Sequence, residues 1–168
     1  MGLLKKVNQW VSGPVNKPFE NDLNDVHFSS LLSSLMTMAW FVEARDPYTG
    51  GHLWRVSKFS ELVALKAGLS QDEAARISLG GFLHDLGKVG IPDAILRKTE
   101  KLTDDEYDVI KTHPDIGFRM LSGHPLAELV KDAVLLHHER PDGKGYPQGL
   151  VSAQISDIAK VVCLYRAS

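Results

Sequence analysis

Seven histidines occur in the chain: His27, His52, His84, His113, His124, His137 and His138. Most of them keep polar company. His84 and Asp85 are adjacent in Phe82-Leu83-His84-Asp85-Leu86-Gly87-Lys88, at the end of an apolar stretch. Such a pair suits a borderline divalent metal, because an imidazole nitrogen holds one ion and the two oxygens of a carboxylate can bridge two. Lys88 follows Asp85 by three residues and His84 by four, so on a continuing helix it shares their face. An ammonium there can hold a phosphate or orient a metal-bound hydroxide. His137-His138 follows the apolar run Ala133-Val134-Leu135-Leu136. Neighbours on a straight helix point about 100° apart, so both rings can face one site only near a helix end. His113 precedes Pro114, and helix-end geometry accounts for it equally well. Any one of these histidines alone reads as a hydrogen-bonded core residue. Their grouping with aspartate is what points to metal. His27 and His124 stand outside the groups and read as structural.

After His138 comes Glu139-Arg140-Pro141-Asp142-Gly143-Lys144-Gly145-Tyr146-Pro147. Its glycines and prolines make a loop whose backbone N–H groups can approach a ligand. The glycine spacing matches neither a dinucleotide fingerprint nor a P-loop. Tyr146 is expected as an exposed aromatic beside two histidines, where a nucleobase or phosphate contact can form; the plain alternative is an ordinary turn.

The elements that must position these residues read as helices. Leu31, Leu32, Leu35, Ala39 and Val42 follow helical spacing, and Asp46-Pro47 ends that run. Leu53, Val56, Ser60, Val63 and Ala67 mark a second helix with Gly68 as its C-terminal cap. Ser70-Gln71-Asp72-Glu73 is a capping box opening a helix to about Gly87. Thr103-Asp104-Asp105-Glu106 repeats the device, with Leu102 and Tyr107 placed as a staple. Further helices are expected over Leu126 to Glu139 and from about Ile158. Short β segments are hard to find, so the fold class is all-α, a compact helical bundle with irregular packing.

Totals narrow the reading. The 168 residues, 43% hydrophobic, suffice for one domain with a real core. A net charge of −2 demands neither DNA nor a membrane as partner. Cys163 is the one cysteine, which excludes an internal disulfide and fits a reducing cytoplasm. No apolar run spans a bilayer, no signal-peptide pattern appears, and Met1-Gly2 lacks the later Ser/Thr of a myristoylation signal. Residues 1–24 read as a leader or linker: Leu3, Leu4, Val7, Trp10 and Val11 make one greasy face before Gly13, Pro14 and Pro18 break it. A membrane-surface or dimer-contact helix is the alternative there.

Taken together, the runs Ala44-Arg45-Asp46-Pro47-Tyr48-Thr49-Gly50-Gly51-His52, His84-Asp85-Leu86-Gly87-Lys88-Val89-Gly90-Ile91-Pro92, His113-Pro114, and His137-His138-Glu139-Arg140 with Gly145-Tyr146-Pro147 resemble the HD-GYP family of the HD phosphohydrolase superfamily. The resemblance runs from about residue 30 to 164. It implies a bacterial enzyme that hydrolyses cyclic di-GMP to the linear dinucleotide, GMP or both, through two or three metals, commonly iron or manganese. By the resemblance, His52, His84 and Asp85 match ligands of a first metal, with Asp85 bridging. His113, His137 and His138 match ligands of a second. Lys88 matches the lysine beside the bridging hydroxide, Tyr146 the tyrosine of the family's loop as a substrate contact, and Asp46 an acid just outside the metal ligands. Three-metal members carry Glu where this chain has Tyr48, so two metals at most are expected. The resemblance fails at the family's last metal ligand, an Asp, whose aligned position is Arg166. The chain also reaches Ser168 before the helices that usually complete the domain, so residues 25–168 read as a C-terminally incomplete member. From these departures this chain is expected to hold the first metal poorly and to be a weak enzyme or none. The rivals are an HD hydrolase of another nucleotide and a catalytically silent module that binds a nucleotide or a signalling protein.

Overall fold

A computed structural model of the chain describes residues 23–46 and 50–164. Tyr48 and Arg166 fall outside these, as does the expected leader except for its last two residues, which begin the first helix. Among the described residues the elements are α1 (Leu23–Arg45), α2 (His52–Lys66), α3 (Gln71–Leu83), a 3-10 segment (Leu86–Gly90), α4 (Asp93–Leu96), α5 (Asp104–Ile110), α6 (His113–Leu121), α7 (Ala127–Leu136), a second 3-10 turn (Ser152–Gln154) and α8 (Asp157–Leu164). The all-α reading holds; the β pairing among these residues is a single isolated bridge, Asp142 to Val151. No described helix is long and apolar enough to cross a membrane.

Helix α3 is the axis. It packs against α2, α7, α8 and α1, and its residues from Ala74 to Phe82 are buried with one exception, Arg76. Small residues allow the close approach: a Cβ on Gly80 would lie 2.6 Å from the Cβ of Ala133 on α7. Ser57 and Ser78 share a buried 2.9 Å hydrogen bond that ties α2 to α3. One apolar cluster joins Leu32, Leu35 and Met36 of α1 to Leu79 and Phe82 of α3 and Val134 of α7. A second joins Val56 and Ala64 of α2 to Ile77, Ala133, Ile158 and Val162.

The helix ends follow their local chemistry. Glu73 N–H donates to Ser70 Oγ at 3.3 Å while Ser70 N–H donates to the Glu73 carboxylate at 2.9 Å. Thr103 and Glu106 repeat the exchange at 3.2 and 2.8 Å. Gly68 takes φ +84°, and Gly68 N–H and Leu69 N–H donate to the carbonyls of Leu65 and Ala64, the paired bonds of a Schellman cap. Two helices stop earlier than their patterns suggest. The one expected to reach Gly87 ends at Leu83, and the chain tightens so that Lys88 N–H donates to Asp85 O at 2.9 Å. The cause is tertiary: a Cβ at Gly87 would collide with the His113 carbonyl and come within 2.5 Å of Gly117 N. Helix α7 ends at Leu136 instead of Glu139, and Glu139 N–H closes a turn onto Leu136 O at 2.9 Å.

This packing gives a stability ordering. Gly87→Ala forces the 3-10 segment off α6 and should cost about 1–3 kcal/mol or more, as overpacking does. Ser70→Ala removes one cap and should cost about 1 kcal/mol. Urea midpoints for both variants check the order; a Gly87→Ala midpoint equal to that of the parent would mean the close approach is not required.

Candidate metal centre

Four helix ends converge on one place. His52 opens α2, His84 is the C-cap of α3, His113 opens α6, and His137 is the C-cap of α7 with His138 following. At these ends the backbone leaves its helical path, so His137 and His138 both face the site despite being neighbours. The exposures are 1% for His84 and His113, 0% for His137, 9% for His138 and 7% for Asp85; the His52 side chain keeps 22%.

Backbone carbonyls fix the rings. Nδ1 of His84 lies 2.7 Å from Gly81 O, Nδ1 of His113 lies 2.7 Å from Ile110 O, and Nδ1 of His137 lies 2.9 and 3.0 Å from the carbonyls of Ala133 and Val134. A carbonyl only accepts, so Nδ1 carries the proton, and Nε2 of a ring that holds no second proton presents a lone pair. Those lone pairs face Asp85. His84 Nε2 is 3.2 Å from Oδ2, and His113 and His137 Nε2 are 3.3 and 3.8 Å from Oδ1. His113 and His137 also bring their Nε2 atoms to 3.1 Å of each other. Acceptors crowded against acceptors in a dry site need a cation or added protons between them. Two nitrogens bound at about 2.0–2.1 Å to one ion stand roughly 3–3.4 Å apart, and the 3.1 Å separation falls in that range. The donor set fits a divalent metal.

Two groups form, each with ligand atoms within 4.8 Å of one another: Asp85 with His113, His137 and His138, and Asp85 with His52 and His84. Asp85 belongs to both, and its oxygens are divided between them. Oδ1 faces His113 and His137; Oδ2 faces His84, His52 at 4.0 Å and Lys88 Nζ at 2.9 Å. Lys88 lies 3.6 Å from Asp46 Oδ2. It reaches Asp85 through the 3-10 turn and not along a continuing α3.

Burial pushes the His137 pKa well below the ordinary imidazole value, helped by charge on His138, His84 and His113. Burial, then charge on His84, lowers that of His52. For Asp85 burial pushes upward, but the charges of His84 and Lys88, and the hydrogen bonds that His113 and His84 give it when their Nε2 atoms are protonated, outweigh it and hold the carboxyl well below its usual range. Neutral imidazoles and an ionised carboxylate are the forms that ligate metal.

The structure therefore gathers His52, His84, Asp85, Lys88, His113, His137, His138 and Asp46. His27 is exposed, and His124 is occupied elsewhere, accepting from Leu126 N–H at 3.1 Å. Tyr146 departs from expectation. It is half-buried and stacked on His138, ring centroids 4.3 Å apart at 23°. Gly145 sits so close over the His138 carbonyl that no Cβ would fit, and Tyr146 N–H donates to that carbonyl at 3.3 Å, which lays the ring on the imidazole. Sequence reasoning missed three charged residues. Arg45 donates to the carbonyls of Val89 and Ile91 at 2.6 and 2.9 Å and pairs with Asp93 at 2.7 Å, fastening the 3-10 segment to α1. Glu43 accepts from Leu53 N–H at 3.0 Å at the start of α2. Glu139 is 1% exposed. The signal for Arg45 and Glu43 was their place just before the Asp46-Pro47 break; Glu139 stood within the run His137-His138-Glu139-Arg140, but nothing in the sequence gave it a role.

A pH dependence follows. In the unfolded chain His137 and His52 protonate near about pH 6.5, while their folded pKa values lie lower. Between those values the unfolded state binds more protons, so stability rises with pH. The chelator-stripped protein should lose stability as pH falls from about 7 to about 5, read as its urea midpoint. A midpoint that climbed on acidification would contradict burial of neutral His137.

Residues 36–165 match the HD domain family. Among curated proteins, the cyclic di-GMP phosphodiesterase response regulator RpfG of Xanthomonas campestris pv. campestris is 44% identical over 133 residues, 78% of this chain and 35% of that protein. A cyclic di-GMP phosphodiesterase of Thermotoga maritima is 44% identical over 115 residues, 67% of this chain and 31% of that protein. The 3'3'-cGAMP-specific phosphodiesterase 2 of Vibrio cholerae is 40% identical over 128 residues, 71% of this chain and 24% of that protein. The chain thus spans a quarter to a third of the length of these relatives. A solved structure of Bd1817, an HDG"Y"P protein from Bdellovibrio bacteriovorus, shares the fold with a TM-score of 0.62 at 19% identity, covering 96% of this chain and 55% of that one. The helical architecture, the histidine–aspartate cluster and the match over most of its length place the chain in the HD domain family.

Proposed function

We propose that the chain carries a metal-dependent phosphodiesterase that hydrolyses cyclic di-GMP to the linear dinucleotide, GMP or both. The observation that carries this reading is the division of the Asp85 carboxylate between two sets of histidines, with Lys88 alongside. The named activities of relatives at 40–44% identity support it. Two divalent ions are the natural occupants: one held by His52, His84 and Asp85, the other by His113, His137, His138 and Asp85. Imidazole and carboxylate donors suit iron or manganese. Such ions lower the pKa of bound water and neutralise charge on a phosphoryl group.

The chain's own residues do the rest. His137 and His52, held neutral by burial, present lone pairs without first losing a proton. Lys88 places an ammonium beside the cluster, where it stabilises negative charge developing on phosphoryl oxygens. Asp46 steadies that ammonium. Tyr146, at the rim on His138, offers ring surface to a guanine. A bacterial messenger substrate places the reaction in the cytoplasm. Cyclic di-GMP and 3'3'-cGAMP differ in one base, so assaying both side by side, with product analysis, tests the substrate; no turnover of either by metal-loaded protein would sink the enzyme reading.

Two substitutions separate the roles. Asp85→Ala should abolish hydrolysis and lower bound metal, because the carboxylate serves both groups. Lys88→Ala should keep its metal while the rate falls about 100- to 1,000-fold, the scale for losing one electrostatic donor. Metal analysis of anaerobically purified protein beside turnover measures both; equal metal loss in the two variants would refute the division of labour.

A further inference from the structure

Glu139 is a buried acid for which the reaction has no use. Its carboxylate accepts three consecutive backbone N–H groups: Gln148 at 2.6 Å and Gly149 at 3.1 Å on Oε1, and Leu150 at 2.8 Å on Oε2. Gly149 takes φ +68°, the left-handed turn that lets successive N–H groups cup an anion. The anion is the protein's own. Two residues before that cup lies Pro147's neighbour Tyr146, stacked on His138, and His138 is the residue immediately before Glu139. The loop is closed at its base by the Asp142 to Val151 bridge and by Ser152 N–H donating to Pro141 O at 3.3 Å.

We infer that Glu139 is a positioning residue: its carboxylate latches residues 148–150, and the latched loop holds Tyr146 against His138, setting the metal affinity of the His113, His137, His138 and Asp85 group. The loop is then a brace for a metal ligand as well as a rim for substrate. His84 and His137 each have Nδ1 bonded to a carbonyl of their own helix, and His113 has Nδ1 bonded to the carbonyl of Ile110 at the end of the preceding α5. His138, beyond the end of α7, takes ring contacts from His113, His137 and Tyr146, and Tyr146 is the one of these delivered by a loop. This inference rests on the metal reading given above.

Glutamine at 139 is the informative change. It keeps size and shape but offers one oxygen where three N–H groups need two, and turns an NH₂ donor toward a donor. The test titrates chelator-stripped full chain with Mn(II) alone under anaerobic conditions, for wild type, Glu139→Gln, Tyr146→Ala and the double variant. Hydrogen exchange at amides 148–150 is followed in parallel. Expected are faster exchange at those amides in Glu139→Gln and Mn(II) affinity weaker by about 10-fold or more in each single variant, the scale for groups that orient a ligand. The double variant should bind no more weakly than the weaker single, because both act through one contact. Unchanged affinity in Glu139→Gln, or losses that simply multiply, would overturn the latch. Should Glu139→Gln not fold, Tyr146→Ala and Gly149→Ala decide: unchanged affinity in both rejects the proposal. Wild type that takes up no Mn(II) sinks the metal reading itself, an outcome distinct from wild type that binds and variants that bind equally well.

Discussion

The structure turns on lone pairs held out of water. Three imidazoles, each tied by Nδ1 to a carbonyl at the end of a helix, point their remaining nitrogen at the carboxylate of Asp85, a residue only 7% exposed. Such an arrangement is costly until something positive enters it, and the rest of the molecule serves to hold it open. Helix ends are suited to the purpose, because there the last carbonyls are free to take an imidazole N–H. A histidine in mid-helix would face carbonyls already engaged in the helix's own bonds.

Close backbone approach is the second requirement. The 3-10 segment bearing Lys88 lies on the start of α6 only because positions 87 and 117 carry no side chain. Gly80 brings α3 against α7 in the same way. Arg45, bonded to two carbonyls of that segment and to Asp93, joins the end of α1 to the same corner. Asp46, the next residue, is thereby held within reach of Lys88. Packing and site geometry are in this sense one arrangement.

Much of this was legible in the residues. Both capping boxes and the Gly68 cap read correctly, since each is a local exchange of hydrogen bonds among a few neighbours. His84-Asp85 and His137-His138 were legible as chemistry, because polar pairs after apolar runs have no packing explanation, whereas His113 joined them only through the family resemblance. What was not legible is tertiary. The early end of α3 comes from contact with a helix some 30 residues away, which periodicity cannot register. The stacking of Tyr146 depends on a glycine pressed onto a carbonyl, and the three bonds to Glu139 on a turn that only the folded loop makes. Composition described that loop as polar and glycine-rich and was silent about what it grips.

The ligand atoms come from residues 52 to 138, on elements that meet only when the bundle has closed. Adjacent pairs such as His84-Asp85 or His137-His138 are all that the unfolded chain can offer an ion, and they are weak chelators. An ion therefore binds the closed bundle far more tightly than the open chain, and most of its binding free energy stabilises the native state. Scarcity of metal in the surroundings then acts on the chain twice, as missing chemistry and as a smaller folded population.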